Sequence, residues 1–368
     1  MLYDSDLERA DLDRLPIFAV MTANAHIVSL ATAVPPYRLR QEEVMAFGQR
    51  LFNGAFVDFD RLLKVYGNAA IRCRYSCVPM AWYGEEHGLG ERNRLYLENA
   101  LALIERAGVE ALARAGLAPA EIDAIVTVST TGIATPGLGA LLMERLPFRR
   151  DVERLPVFGL GCAGGVLGLA RAATLARAEP GRRVLFLVVE LCALTFRVGD
   201  RSKSNLIATA LFGDGAAAAV IACDGAGPVI AGWGEHTWPD SLGVMGWEIA
   251  DDGFGVLFSR DIPRLVRAEM RAAAEGVLAR HGLGLSDIAS FVCHPGGAKV
   301  IDALEAAYGL APGALVHARS VLRDYGNMSA ATVLFVLERA LAAEAPGRAL
   351  MSALGPGFTA GFVILETG

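Results

Sequence analysis

The sequence predicts a layered α/β protein built from two similar halves, and three observations carry that expectation. Apolar stretches with helical spacing alternate with short apolar runs of strand character along most of the chain. In two places such a strand runs into a glycine-rich turn that opens directly into a helix, around Cys162 and around His294. The length of 368 residues also exceeds what one hydrophobic core accommodates, since single cores stop growing at roughly 250–300 residues.

Taken in chain order, residues 1–20 form an acidic extension with no assignable function, after which IVSLATAVPP reads as a strand. Residues 93–115 place Leu97, Ala100, Leu101, Ile104 and Val109 at roughly helical spacing. A buried strand (124–129) and a Gly/Pro/Thr loop, STTGIATPG, come next. The pattern repeats as strand 157–160, turn 161–162, helix 163–178 and strands 183–189 and 216–222. The second half reads as helix 263–280, strand 288–293, turn 294–297, helices 298–308 and 327–342, and strands 349–353 and 360–365. No low-complexity linker interrupts the chain, so the halves, 21–225 and 226–368, should share one large interface, with the boundary near Asp224–Gly227.

Composition narrows the function classes. Hydrophobic residues make up 53% of the chain, but Gly, Pro or charge breaks every run before the ~18 apolar residues of a membrane span. The reading is a soluble protein. A formal net charge of -6 argues against a nucleic-acid partner, which calls for a basic surface. The six cysteines are scattered and no secretory leader is recognisable, which favours reduced thiols in the cytoplasm. Cys73 and Cys77 lack a second Cys or His pair at finger-like spacing, so no metal is expected.

Three residues carry the expected chemistry. Cys162, in VFGLGCAGGVLGLARAA, ends a strand and begins a helix, where the helix dipole and free N–H groups stabilise a thiolate. The competing role is a small buried hydrophobe. His294, in FVCHPGGAKV, occupies a turn of the same design and can offer a ring nitrogen to a thiol, although a lone His is more often structural. Asn327, in YGNMSAATVLF, reads either as a helix N-cap or as an amide donor to a developing oxyanion. Together they supply a nucleophile, a base and an oxyanion donor.

With these residues in view, the chain resembles the type III polyketide synthases, the chalcone and stilbene synthase superfamily of thiolase-fold enzymes. The resemblance rests on STTGIATPG (Ser129–Gly137), GCAGG (Gly161–Gly165), ALFGDGAAAAV (Ala210–Val220), HPGG (His294–Gly297), YGNMS (Tyr325–Ser329) and GPGFT (Gly355–Thr359), in the family's order from about Ile27 onward. It implies a thiolase-like α-β-α-β-α fold and a homodimer. It implies that Cys162 carries the acyl group, that His294 holds it as a thiolate, and that His294 and Asn327 form the oxyanion pocket. Phe212 becomes a gatekeeper between a CoA tunnel and the reaction cavity, Thr195 and Ser329 line that cavity, and Gly355, Pro356, Gly357 and Phe358 form the loop on its cyclisation side. Thr135 corresponds to a residue that crosses into the partner's cavity.

The implied reaction starts from an acyl-CoA, extends it with malonyl-CoA by decarboxylative condensation, and needs no further cofactor. Arg61 and Lys64 match two basic CoA-binding positions, while Asn68 occupies a third that is usually basic. Val256 matches a second gatekeeper that is Phe in plant members, with Phe254 two residues earlier, and should widen the passage. Trp247 stands where plant chalcone synthases have a small residue and should reshape the cavity. These departures point to a bacterial member that takes a fatty acyl starter to alkylpyrones or alkylresorcinols. The rival within the fold is a ketoacyl-ACP synthase III performing one condensation from a carrier protein. A papain-like cysteine protease shares the Cys, His, Asn order but not the residues around the cysteine, and a non-catalytic thiolase-fold subunit would be expected to have lost one of the three residues.

Overall fold

A computed structural model describes residues 24–52, 59–179, 181–343 and 347–367, with backbone alone for 59–62. The extension at 1–20 lies outside the described residues. In chain order the strands are β1 (Ala25–Ala33), β2 (Tyr37–Arg40), β3 (Cys73–Ser76), β4 (Ala124–Val128), β5 (Glu153–Val157), β6 (Arg183–Leu191), β7 (Asp214–Ala222), β8 (Val229–Thr237), β9 (Met245–Ala250), β10 (Gly253–Phe258), β11 (Ser290–Cys293), β12 (Gly347–Gly355) and β13 (Thr359–Thr367). The helices are α1 (Gln41–Leu51), α2 (Phe59–Asn68), α3 (Leu89–Ala115), α4 (Leu138–Leu142), α5 (Gly164–Ala178), α6 (Lys203–Leu211), α7 (Ile262–Ala279), α8 (Ala298–Tyr308), α9 (Val316–Tyr325) and α10 (Thr332–Ala342).

Nine strands form one sheet in the order β11-β12-β13-β8-β1-β7-β6-β4-β5. In the first half β1 and β7, then β7 and β6, pair antiparallel, while β6 and β4 run parallel. The second half repeats this: β8 with β13 and β13 with β12 antiparallel, β12 with β11 parallel. The repeated topology confirms the duplicated α/β unit. The two half-sheets meet where β1 touches β8 over two residue pairs, Ala25 with Ile230 and His26 with Val229.

Residue alternation explains the layering. In β6, Val184, Phe186 and Val188 join one core cluster while Leu185, Leu187 and Val189 join the other. In β7, Ala217, Ala219 and Ile221 face one way and Ala216, Ala218 and Val220 the other. Successive side chains of a strand point to opposite faces, and strands covered on both sides read as continuous apolar runs. Helix α3 covers the outer face of β1, β6 and β7, and α7 lies on β8 and β13. Helix α5 packs against strands of both halves and α10 against α5, β1, β7 and β11, so these two form the middle layer. The result is the α-β-α-β-α arrangement. Small residues permit this sandwich: a Cβ on Gly168 of α5 would lie 2.7 Å from Phe186.

The duplication places the functional positions. Helices α5 and α10 are counterparts, each preceding the strand β6 or β12 of its half, and their N-termini meet in the middle layer. Cys162 precedes α5 and Asn327 precedes α10, while His294 follows β11 as Ser129 follows β4. Each half therefore contributes part of one site.

Candidate active site

Cys162 sits in a short 3₁₀ turn, Gly161–Ala163, that continues into α5. The turn requires its glycines. Gly161 has φ +46°, and a Cβ there would lie 2.5 Å from Cδ of Pro356; on Gly165 it would lie 2.2 Å from the Ala330 carbonyl oxygen. The Cys162 turn is thus wedged between the Gly355–Phe358 loop and the segment after Asn327.

The sequence YGNMSAAT predicts a helix opening at Asn327, and here the structure differs. The segment runs α9, a short extended stretch holding Asn327, a 3₁₀ turn (Ser329–Ala331), then α10. Asn327 is no N-cap. Its backbone pairs with the chain around Phe212, donating to Leu211 O at 2.8 Å and accepting from Gly213 N at 2.9 Å. Its side chain is oriented by two bonds: Oδ1 accepts from Ser329 N at 2.8 Å, and Nδ2 donates to Gly296 O at 3.2 Å. An amide nitrogen has two hydrogens, and Nδ2 keeps the second for the thiol side.

Cys162, His294 and Asn327 line one cavity of about 540 Å³. His294 is buried, and neither ring nitrogen has a hydrogen-bond partner among the described residues. Burial pushes its imidazole down to about 3. Burial likewise pushes the Cys162 thiol up to about 12, although part of the residue stays open to the cavity; hydrogen bonds from Ser329 and Asn327 act the other way, and nearby Glu190 adds to the rise. Burial thus disfavours an isolated charge on either residue.

The remaining expected residues lie around this centre. Phe212, Val256, Cys192 and Ala208 form one apolar cluster, packed by Trp247 and Phe258. Trp247 pairs with Val256 across the β9–β10 hairpin, and its ring centroid is 6.0 Å from that of Phe212 and 6.2 Å from that of Phe254. The space expected from the smaller Val256 is thus bordered by an indole. Thr195 is buried and donates to Cys192 O at 2.6 Å. Ser329 is buried with φ +47°, and Phe358, φ +48°, packs on Trp238 with centroids 4.8 Å apart. Thr135 is exposed, on the loop before Pro136. Lys64 is exposed on α2, one residue before the lining residue Val65; Asn68 lines the cavity; the Arg61 side chain lies outside the described residues.

Two residues escaped sequence reasoning. Glu190, the one acid in the strand RVLFLVVEL, is fully buried and accepts from Thr130 N at 3.0 Å and Thr131 Oγ1 at 2.8 Å, while burial pushes its carboxyl up to about 7. A lone acid in such a run is itself a signal. Arg74, also buried, donates to the carbonyls of Ala210 (2.9 Å) and Phe212 (3.1 Å) and to the Gln41 side chain. It holds the C-terminal end of α6, and with it the backbone of Phe212, where a cation suits the helix dipole.

The chain is similar to known proteins over most of its length. The family described as "Chalcone and stilbene synthases, N-terminal domain" matches residues 19–228, and "Chalcone and stilbene synthases, C-terminal domain" matches 234–367. The chain is 39% identical over 356 residues to the 1,3,6,8-tetrahydroxynaphthalene synthase of Streptomyces peucetius subsp. caesius, covering 94% of each protein. It is 30% identical over 364 residues to the 3,5-dihydroxyphenylacetyl-CoA synthase of Amycolatopsis balhimycina, covering 96% of this chain and 95% of the relative. The crystal structure of 1,3,6,8-tetrahydroxynaphthalene synthase from Streptomyces coelicolor A3(2), a bacterial type III polyketide synthase, superposes with a TM-score of 0.88 at 28% identity, covering 93% of this chain and all of that one.

Proposed function

The chain belongs to the chalcone and stilbene synthase family, the type III polyketide synthases, and from that premise we propose that it loads a fatty acyl-CoA starter on Cys162 and extends it with malonyl-CoA to alkylpyrone or alkylresorcinol products. The observation that carries the mechanism is the shared cavity of Cys162, His294 and Asn327. As a thioester enters, His294 takes the Cys162 proton and the thiolate attacks the acyl carbonyl; free CoA leaves. Malonyl-CoA then binds. The His294 ring N–H and the second Nδ2 hydrogen of Asn327 donate to its thioester oxygen while carbon dioxide departs, and the enolate carbon attacks the acyl carbonyl on Cys162, breaking the acyl–sulfur bond, expelling the Cys162 thiolate and leaving the extended chain on CoA.

An aliphatic starter is favoured by what surrounds Phe212. Trp247, Phe254 and Phe258 crowd that side, which leaves little room for a planar phenylpropanoid and suits a narrow, flexible methylene chain. A second reading follows from the 39% identity to a tetrahydroxynaphthalene synthase: an aromatic product built without a fatty starter. The same chemistry needs no cofactor besides the CoA substrates. A cytoplasmic location accords with six free cysteines and with the absence, among the described residues, of a helix able to cross a membrane. A homodimer accords with the exposed edge strand β5 and the exposed Leu155, Phe158 and Ile133 beside it.

The deciding experiment is mass spectrometry of products from malonyl-CoA, alone and with acyl-CoA starters from acetyl to stearoyl, without carrier protein. Products whose mass tracks a long starter support the fatty-acyl reading, and a single product from malonyl-CoA alone supports the second. Condensation that occurs only with malonyl-carrier protein overturns both in favour of a ketoacyl synthase. Replacing Cys162 by Ala should abolish the acyl-enzyme adduct in intact-protein mass spectra.

A further inference from the structure

The turn Cys192–Thr195, which follows β6, is held at both ends by buried charge. The fully buried Asp214 carboxylate accepts from Ala193 N at 2.8 Å, and Arg92 donates through Nη1 to Leu194 O and Phe196 O, each at 2.6 Å. Arg92 lies in the first turn of α3, a helix end whose partial positive charge disfavours a cation. It is buried and has no ion pair among the described residues; its Nε donates to a third carbonyl, His87 O, at 3.0 Å. Bonds from a charged donor are roughly twice as strong as neutral ones, so a buried guanidinium aimed at carbonyls fixes backbone. The Trp82 ring lies 5.2 Å from Arg92 Cζ and itself stacks on His87 at 3.9 Å, which leaves the guanidinium little freedom to swing.

Arg197, two residues beyond Thr195, extends this arrangement to the β9–β10 hairpin. Its guanidinium bonds Asp200 on its own loop at 2.8 Å and Asp252 at the hairpin tip at 2.7 Å. The hairpin backbone rests on both arginines. Gly253 is buried with φ +140°, and a Cβ there would lie 3.2 Å from Arg92 Cδ and 3.8 Å from Arg197 Cδ; a Cβ on Gly255 would lie 2.8 Å from Arg197 Nη2. The hairpin forms a two-stranded sheet apart from the nine-stranded one, so its place over Phe212 depends on attachments of this kind. Cys192 of the turn and Val256 of the hairpin meet Phe212 in one apolar cluster. The gap between turn and hairpin is thus the gap between two walls beside the proposed gate.

We propose that Arg92 and Arg197 are positioning residues that set the spacing between the Thr195 turn and the β9–β10 hairpin, and through it the length of acyl chain that the cavity admits. This rests on the reading that Cys162 is loaded from acyl-CoA. Each arginine acts through the backbone that it holds and takes no part in the chemistry. Loss of the Asp252 bond frees the hairpin tip, whereas loss of Arg92 also leaves buried carbonyls without their donor.

The test follows acylation of Cys162 by intact-protein mass spectrometry across acyl-CoAs from acetyl to stearoyl, in wild type, Asp252→Asn, Arg197→Met, Arg197→Lys and Arg92→Lys. Melting temperature and hydrogen exchange are measured on the same proteins. The Asp252 side chain is half-exposed, so Asp252→Asn opens the tip with the least risk to folding. Asp252→Asn and Arg197→Met should speed exchange in residues 245–258 and change the relative loading of long and short chains several-fold, with acetyl-CoA loading nearly unchanged. Arg197→Lys, which can still pair with Asp252, should restore most of the wild-type preference. Arg92→Lys should add faster exchange in residues 192–197 and a larger change in preference. A uniform fall at every chain length, with a lower melting temperature, would mean that the arginines only stabilise the fold and overturns the proposal. Wild-type chain preference in every variant overturns it too, while leaving condensation standing. If the preference changes but no protein condenses with malonyl-CoA, the proposal stands and the product assignment falls. If wild type accepts no acyl group from any of the acyl-CoAs, the loading reading fails and the proposal falls with it.

Discussion

The backbone of Asn327 is hydrogen-bonded on both sides of Phe212, to Leu211 O at 2.8 Å and from Gly213 N at 2.9 Å. The proposed oxyanion donor and the proposed gate therefore move as one piece. Gly326, φ +69°, lies against this bridge, and a Cβ on it would approach Leu211 O to 2.8 Å. Gly326→Ala should lower kcat on the order of 100-fold, since displacing a catalytic donor by about 1 Å costs that much. Phe212→Leu, which spares the bridge, should shift the product spectrum at nearly unchanged kcat. Steady-state kinetics beside product profiles would separate the two.

Asn327→Asp tests the assigned orientation of the amide. A carboxylate oxygen would replace Nδ2 beside the Gly296 carbonyl and the thiol, turning a donor into an acceptor. Malonyl-CoA decarboxylation should fall by about 10²–10³, and alkylation of Cys162 by iodoacetamide at pH 7 should slow as the added negative charge raises the thiol further. Unchanged decarboxylation would show that the amide points elsewhere.

Trp247 lies across the hairpin from Val256 and beside Phe212, the proposed gate. Trp247→Gly should therefore admit bulkier starters or longer intermediates, read by mass spectrometry as products heavier by at least one extension unit. An unaltered product set would mean that chain length is controlled elsewhere.

Glu190 predicts a pH signature. Its carboxyl titrates at about 7 in the fold against an ordinary 4.5, so the folded state binds the proton more tightly. Stability is retained below about 4.5 and declines as pH rises to about 7, where the loss reaches on the order of 3 kcal/mol at ~1.4 kcal/mol per unit. Glu190→Gln removes that charge. The difference in melting temperature, variant minus wild type, should grow more positive from pH 4.5 to 7 and level off above; Asp214, likewise pushed up to about 7, is common to both proteins and cancels.

The turn-to-helix junctions at Cys162 and His294 were legible in the sequence because glycines and apolar helix faces act locally, but the strand expected at 157–160 lies instead at Glu153–Val157, an exposed sheet edge without the apolar run that marks a buried strand. Asn327 was picked out for the right segment and the wrong local structure: YGNMSAAT looks like a helix start, yet tertiary pairing with Phe212 pulls Asn327 into extended backbone and delays α10 to Thr332. The cavity walls were harder to read. The side of a hairpin on which Trp247 lands depends on how β9–β10 is laid over Phe212, which its own residues do not determine. Lys203, Arg260 and Lys299 lie far apart in the chain and come to line one cavity only once three helices are packed.

The narrow β1–β8 seam has a further consequence. The proposed nucleophile, Cys162, belongs to one half and its proposed partners, His294 and Asn327, to the other, while the half-sheets join through two residue pairs. Alignment of the reacting atoms therefore falls to the wedge of α5 against α10, where small side chains leave little slack. A cavity opened in that wedge, remote from any substrate, would slow turnover before it unfolded the protein. Catalysis is then the more sensitive gauge of how tightly the two ancestral halves are locked together.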